Sequence, residues 1–143
     1  MRNPIIVALD LPTTEQAIAL AEQVAPAVGA FKIGKELFTA VGPDIVRRIR
    51  ATGAQLLNQS VLLAGVNDDE TSLVDLSTAL FRAGALPYYL HLLDRVRGAS
   101  HFDVPEARGR ELLRAIHARL PGYLVPRLVR EEAGAAGKTP LAA

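Results

Sequence analysis

Charged residues at the ends of apolar stretches are the first candidates for chemistry in this sequence. Asp10 ends the stretch IIVALD, Lys32 lies near the end of GAFKIG, and Asp94 ends PYYLHLLD. A fixed ammonium can stabilise a developing carbanion and then protonate it, and a carboxylate nearby adds a second charge for acid–base work. These residues can cooperate only if the fold brings the ends of their stretches to one edge.

The apolar stretches predict strands, and amphipathic helical patterns separate them. Thr13 and Gln16 form a capping box before the first helix, Pro43 suits the first turn of the second, and Asp103 can cap the fourth. The predicted strands are Pro4–Asp10, Gly29–Gly34, Leu56–Leu63, Pro87–Asp94 and Gly122–Val129.

This alternation favours right-handed βαβ units and a parallel sheet. About five parallel strands and four main helices amount to half of an eightfold β/α barrel. The predicted fold class is therefore α/β, a partial (half) barrel in a single domain over residues 1–143. In such folds the chemistry lies at the carboxyl ends of the strands, where Asp10, Lys32 and Asp94 fall.

The stretch IIVALDLPTTEQAIALAEQVAPAVGAFKIGKELFTAVGP resembles orotidine 5′-phosphate decarboxylase, so that residues 1–53 are similar to the N-terminus of that family. The resemblance implies a lyase of pyrimidine biosynthesis in which Asp10 contacts the substrate ribose and Lys32 belongs to a charged catalytic array. The family's D-x-K-x-x-D motif belongs on the third strand, which here reads LLNQSVLLAGVND and contains no lysine. The catalytic set is therefore incomplete, and both residues also suit ordinary strand-end charges.

Residues 56–143 resemble the C-terminal part of the lysine 2,3-aminomutase family, in the branch that makes β-lysine for elongation factor P. The blocks NQSVLLAGVND, PYYLHLLDRVRGASHF and GYLVPRLVREEAGAAGKTPL follow in the family's order. The resemblance implies a radical S-adenosylmethionine isomerase that also uses pyridoxal phosphate. Lys138 then corresponds to the lysine that forms the Schiff base with pyridoxal phosphate, and Asp94 and Glu131 to carboxylates that hold the substrate's amino group.

The sequence contains no cysteine. It therefore lacks the three thiolates of the C-x-x-x-C-x-x-C motif that ligate the family's iron–sulfur cluster, and no such cluster is expected. Ala64 stands where the family motif has an arginine. His91, His101 and His117 lack metal-ligand spacing, so no metal site is predicted. An ordinary interpretation of Lys138 is a solvated lysine in a Gly-rich tail.

The change of resemblance falls at a seam near residues 53–57, between a helix and the following strand. It predicts a chimeric or truncated half-barrel without native catalysis, with a flexible tail over residues 131–143. Three alternatives stay open: a decarboxylase-like lyase, a residual pyridoxal phosphate binder, and a non-catalytic scaffold. The scaffold would form homo-oligomers through exposed barrel edges.

Composition excludes other classes of function. The net charge of +1 gives no long-range attraction to nucleic acid or to an anionic membrane. No apolar run approaches the roughly 20 residues that span a bilayer, and the N-terminus lacks a signal-peptide pattern. The sequence therefore predicts a cytoplasmic protein that binds neither nucleic acid nor membranes.

Overall fold

The computed structural model describes residues 3–33, 35–42, 44–94 and 96–141. Over these residues the chain forms five α-helices and six strands that follow one another in sequence order. The strands are β1 (Ile6–Leu9), β2 (Ala30–Ile33), β3 (Leu56–Val61), β4 (Ala85–His91), β5 (Arg127–Arg130) and β6 (Thr139–Pro140). The helices are α1 (Thr14–Val24), α2 (Lys35–Val41), α3 (Asp44–Ala51), α4 (Glu70–Ala83) and α5 (Glu106–His117).

The chain divides into two compact units. Unit 1 comprises Met1–Leu57 with Arg82–Ala85, and unit 2 comprises Asn58–Phe81 with Leu86–Ala143. The first boundary falls inside β3, next to the seam expected from the sequence. The single-domain organisation and the flexible tail stay predictions.

Unit 1 is built on a parallel pairing of β1 with β2. The register runs from Ile6 opposite Ala30 to Leu9 opposite Ile33, and β3 joins β2 through Phe31 and Leu56. Apolar side chains at helical spacing on α1 and α3 supply the opposite wall of the core. The fully buried side chains are Leu9, Ala17, Ala21, Leu37 and Ile49, with Phe31 and Ile45 each 1% exposed.

Unit 2 carries a parallel pair and an antiparallel one. Strand β4 runs parallel to β5, whereas β6 returns antiparallel along β5. The end of β4 is also held by the Leu62 amide, which donates to the His91 carbonyl at 2.8 Å. One apolar cluster fills the space between the strands and α4 and α5: Leu62, Leu73, Leu90, Leu92, Val104, Leu112, Leu113, Ile116 and Leu128.

The alternation of strands and helices is confirmed, and several local predictions need correction. The second predicted helix is α3, which buries Ile45 and Ile49, whereas α2 before it was not predicted. Gly34 and Pro43 lie outside the described residues. Asp103 is not a cap, because α5 begins after Pro105 and no side chain caps it.

The end of unit 2 also differs from the prediction. The segment Gly122–Leu124 is a 3₁₀ turn, so the fifth strand begins only at Arg127. Strand β6 was not predicted, because two residues are too few to show a periodicity. In the described parts of the chain, no helix combines the length and apolarity needed to cross a membrane.

Candidate functional site

The predicted residues of the decarboxylase-like site, Asp10 and Lys32, belong to the carboxyl ends of two paired strands in unit 1. Lys32 is opposite Ala8 in the β1–β2 register, and Asp10 follows β1 directly. Both side chains are exposed. The fold therefore brings one carboxylate and one ammonium to the same end of a parallel pair.

The third member of that array is missing from the neighbouring strand. Strand β3 reads LLNQSV over Leu56–Val61 and carries neither a carboxylate nor an ammonium. Because Asp10 and Lys32 are open to water, solvent weakens the attraction between their charges. In unit 1 the described residues thus supply only two members of the decarboxylase array, and water weakens the interaction between their charges.

The predicted residues of the aminomutase-like site come together in unit 2, on the hairpin formed by β5 and β6. Val129 pairs with Pro140 and Arg130 pairs with Thr139. Continuing this antiparallel register places Glu131 opposite Lys138, and their side chains form an ion pair there. The side chain of Lys138 is 23% exposed. The prediction from sequence named both residues, and the structure joins them.

His91 belongs to the same face of unit 2. It pairs with Val129, which pairs in turn with Pro140, so three strands contribute to one row. Glu131 and Lys138 form the next row on that face, roughly 7 Å along the strands at about 3.3 Å per residue. The His91 side chain is buried at 8% exposure, and the Tyr89 ring meets it edge-on with centroids 5.8 Å apart.

Three charged side chains near His91 influence the pKa of its imidazole: Lys138, Glu131 and Asp94. Burial lowers the pKa of His91 below its ordinary value, and the positive charge of Lys138 lowers it further. The carboxylates of Glu131 and Asp94 act in the opposite direction and raise this pKa. All three residues predicted by the aminomutase resemblance therefore act on one imidazole that sequence reasoning did not assign to a site.

The signal that could have identified His91 is its strand position. In PYYLHLLD, His91 comes two residues after Tyr89, so both side chains lie on the same face of the strand. The spacing of the three histidines, which was compared only with that of metal ligands, does not show this. Among the described residues, no group of three or more potential ligands could hold a metal ion.

A cavity of about 860 Å³ in unit 2 is lined in part by Asp94 and Glu131. Its ionisable lining is mostly acidic, and the one arginine of the described lining, Arg130, is ion-paired with Glu106 at 2.9 Å. A hydrogen bond from Arg110 lowers the pKa of Glu106. Lys138 is linked to this cavity through Glu131. The lining carboxylates are Asp94, Asp103, Glu106, Glu131 and Glu132.

These residues fit one end of pyridoxal phosphate and not the other. Lys138 offers the amine that an aldehyde requires. A phosphate requires cationic or amide donors, but Lys138 is paired with Glu131, and Arg130 is held by Glu106. Ala64 stands where the aminomutase motif has an arginine, and Arg95 lies outside the described residues. Lys138 and the one arginine of the described cavity lining are therefore both paired with carboxylates already.

Comparison with known proteins gives two different likenesses. Residues 3–58 match the family model described as Orotidine 5′-phosphate decarboxylase / HUMPS family. The L-lysine 2,3-aminomutase of Escherichia coli K12 is 52% identical over 94 residues, which is 66% of this chain and 28% of that protein. The L-lysine 2,3-aminomutase of Haemophilus influenzae is 50% identical over the same shares. The chain thus spans little more than a quarter of these relatives.

Solved structures confirm the fold class. An uncharacterized conserved protein from Geobacillus kaustophilus has a TM-score of 0.58 and 24% identity, covering 92% of this chain and 56% of its own. Orotidine 5′-phosphate decarboxylase from Pyrococcus horikoshii has a TM-score of 0.57 and 21% identity, covering 88% of this chain and 50% of its own. The predicted α/β fold, corresponding to part of a β/α barrel, is therefore correct.

The two sequence likenesses meet at the seam. Any 94-residue stretch of a 143-residue chain includes residues 50–94, so the aminomutase likeness overlaps the end of the family match at residue 58. The boundary between units, after Leu57, falls within this overlap. The chain is therefore similar to the decarboxylase family at its start and to lysine 2,3-aminomutases over most of its remaining length.

Proposed function

We propose that this chain is a chimeric or truncated β/α protein that performs neither parent reaction, and that its retained chemistry is the capture of aldehydes by the Lys138 amine. The observation that carries the proposal is the Lys138–Glu131 ion pair on the β5–β6 hairpin. It lies one row from the buried His91 and is linked through Glu131 to the cavity of unit 2.

Both parent reactions lack essential groups in this chain. The decarboxylase resemblance requires a lysine and carboxylates on the third strand, and β3 has none. The aminomutase resemblance requires three cluster thiolates, and the sequence has no cysteine. These residues therefore support neither a charged decarboxylase array nor the generation of an adenosyl radical. The cytoplasm stays the proposed location, on composition alone.

Lys138 is the natural site of capture because of its surroundings. The sequence has three lysines, and the other two, Lys32 and Lys35, belong to unit 1. Lys32 is exposed on a strand, whereas Lys138 is three-quarters covered and linked to a cavity large enough for an aromatic aldehyde. Pyridoxal phosphate is the aldehyde that the aminomutase resemblance implies, and Lys138 is the residue that would hold it.

Reductive trapping tests this proposal. The protein is incubated with increasing benzaldehyde and cyanoborohydride, and labelling at each lysine is measured by peptide mapping. We expect labelling at Lys138 to saturate, because the cavity binds the aldehyde before the amine reacts. Labelling at Lys32 should rise linearly with concentration.

The matched variants are Lys138→Met, which should abolish the saturable component, and Lys32→Met, which should leave it intact. Linear labelling of all lysines would contradict the proposal. So would turnover of orotidine 5′-monophosphate or of L-lysine by the purified protein.

Self-association is a second candidate function, and the exposed apolar edge of unit 1 favours it. Strand β1 ends the described sheet, and Ile5 and Ile6 are 54% and 53% exposed there. An uncovered apolar edge strand readily pairs with a second copy. Sedimentation velocity should show a mass that increases with concentration, and Ile6→Lys should remove that increase. A monomer at every concentration would exclude this function.

A further inference from the structure

We infer that the Lys138 site takes aldehydes that carry a positive charge and disfavours phosphorylated ones, pyridoxal phosphate included. This inference rests on the proposed capture of aldehydes by Lys138 and specifies the ligand. It starts from the mismatch between the phosphate of that cofactor and the side chains that surround the amine.

The charges around the amine are predominantly negative. Glu131 forms an ion pair with Lys138 and also lines the cavity. Asp94, three residues after the end of β4, lines the same cavity. So does Glu132, whose carboxylate accepts a hydrogen bond of 3.0 Å from Thr139. Among the described lining residues, the single guanidinium, that of Arg130, already has a carboxylate partner in Glu106. A phosphate here would meet repulsion, and an ammonium would meet attraction.

The same charges act on the ion pair of Lys138. The Lys138 amine must leave Glu131 before it can attack a carbonyl, so Glu131 exchanges its partner as the aldehyde reacts. A cationic aldehyde gives Glu131 and Asp94 another positive partner, whereas an anionic aldehyde gives them none. The selectivity therefore acts through binding.

The covalent step is a condensation without redox change. The lone pair of Lys138 Nζ forms a bond to the carbonyl carbon, and the carbonyl oxygen takes up a proton. The resulting carbinolamine loses water, so that a carbon–nitrogen double bond replaces the carbon–oxygen double bond. Cyanoborohydride, added only in the assay, then reduces this bond to a stable secondary amine.

Two para-substituted benzaldehydes of similar size test the inference: 4-(trimethylammonio)benzaldehyde and 4-carboxybenzaldehyde. Each is trapped on the protein with Nα-acetyllysine in the same tube, so that dividing by labelling of the free amine removes intrinsic differences in reactivity. We expect the normalised labelling of Lys138 to be about tenfold higher for the cationic aldehyde, because the two aldehydes differ by two units of charge and water screens each interaction. Added salt should reduce the difference. Pyridoxal phosphate should label Lys138 less than uncharged benzaldehyde does, after the same normalisation.

Charge-neutral variants assign the effect to named residues. Glu131→Gln should raise labelling by 4-carboxybenzaldehyde and reduce the cationic preference, and Asp94→Asn should reduce the preference alone. Glu111→Gln, on the exposed side of α5, is the matched control and should change neither. Circular dichroism of each variant checks that the fold is kept.

The possible outcomes separate this inference from the proposal beneath it. Saturable labelling at Lys138 with equal or anionic preference would overturn the charge selectivity and leave aldehyde capture standing. Absence of saturable labelling with every aldehyde would overturn both.

Discussion

The guanidinium of Arg50 donates a hydrogen bond of 2.9 Å to the carbonyl oxygen of Gly84. Arg50 lies at the end of α3, within the stretch that matches the decarboxylase family, and Gly84 lies well beyond the end of that match. Both residues belong to unit 1. Residues outside the decarboxylase match therefore complete the compact unit that this match begins.

The first prediction concerns this contact. Gly84 ends α4 with φ of +84°, where a side chain is strained, and an added Cβ would lie 2.2 Å from Cδ and Nε of Arg50. We expect Gly84→Ala to cost about 1–2 kcal/mol of unfolding free energy, and Arg50→Ala about 0.5–1.5 kcal/mol. Urea denaturation measures both values.

A double variant makes this prediction sharper. Because the new methyl group displaces the Arg50 side chain, the cost of Gly84→Ala should be smaller when residue 50 is already alanine. Arg48→Ala, at an exposed position of the same helix, is the control and should change stability by less than about 0.5 kcal/mol. Strict additivity of the two substitutions would show that the contact is absent in solution.

The second prediction concerns the start of α1. The Thr13 hydroxyl oxygen accepts a hydrogen bond from the Gln16 amide at 3.4 Å, in the N-cap position. Thr13→Ala should therefore cost about 0.5–1 kcal/mol, the lower part of the usual range for N-caps because this bond is long. Thr13→Ser keeps the hydroxyl and should retain most of the stability in thermal denaturation. Equal losses in both variants would assign the effect to the methyl group instead.

The Thr13 cap illustrates what local sequence could predict. A hydroxyl residue three positions before a glutamine is a short-range signal, and the structure confirms Thr13 as the N-cap. Gly84, which follows α4 with φ of +84°, is likewise the residue type that local sequence favours just after a helix. Asp103 carried a similar signal and is wrong as a cap, because Pro105 occupies the N-cap position of α5. Local signals therefore identify helix ends well unless a neighbouring residue competes.

The candidate site in unit 2 was only partly accessible from sequence. Asp94, Glu131 and Lys138 were named because they match motif positions of one family. Their joint action on His91 depends on the register of β5 with both β4 and β6, which is set by tertiary packing. Strand β6 has only two residues, too few to show a periodicity in the sequence. The proximity of His91 to the Lys138 ion pair therefore could not be derived from residue spacing alone.

The third prediction is a pH dependence of stability from His91. Its pKa is lowered in the folded protein, first by burial and then by the charge of Lys138. The unfolded chain therefore binds a proton more readily, and stability falls as the pH drops from the ordinary value of 6.5 through the folded pKa. We expect the urea midpoint to decrease between about pH 7 and pH 5, and His91→Gln to reduce that decrease. His117→Gln, at an exposed position, is the control and should leave the slope unchanged.

The two carboxylates with a lowered pKa, Asp69 and Glu106, affect stability in a lower pH range. The pKa of Asp69 is lowered, mainly by its hydrogen bond with the Ser72 side chain, and the pKa of Glu106 is lowered by Arg110. Groups of this kind lose their stabilising effect only as the pH falls below their ordinary values of 3.8 and 4.5. A decrease between neutrality and pH 5 that survives in His91→Gln would therefore contradict the role of His91.

The fourth prediction uses His91 as a reporter of the charges around Lys138. The positive charge of Lys138 lowers the pKa of His91, and the negative charges of Glu131 and Asp94 raise it. Lys138→Met should therefore raise the pKa of His91, and Glu131→Gln and Asp94→Asn should each lower it. The measurement is an NMR titration of the imidazole protons, with His101 and His117 in the same spectrum as internal references.

Opposite signs make this test selective. A general loosening of the fold would expose His91 and raise its pKa in every variant, because burial is the largest cause of the lowering. If Lys138, Glu131 and Asp94 all lie close to His91, the pKa of His91 rises in the lysine variant and falls in the two carboxylate variants. An unchanged pKa of His91 in Lys138→Met would mean that β6 does not hold Lys138 beside β5 in solution.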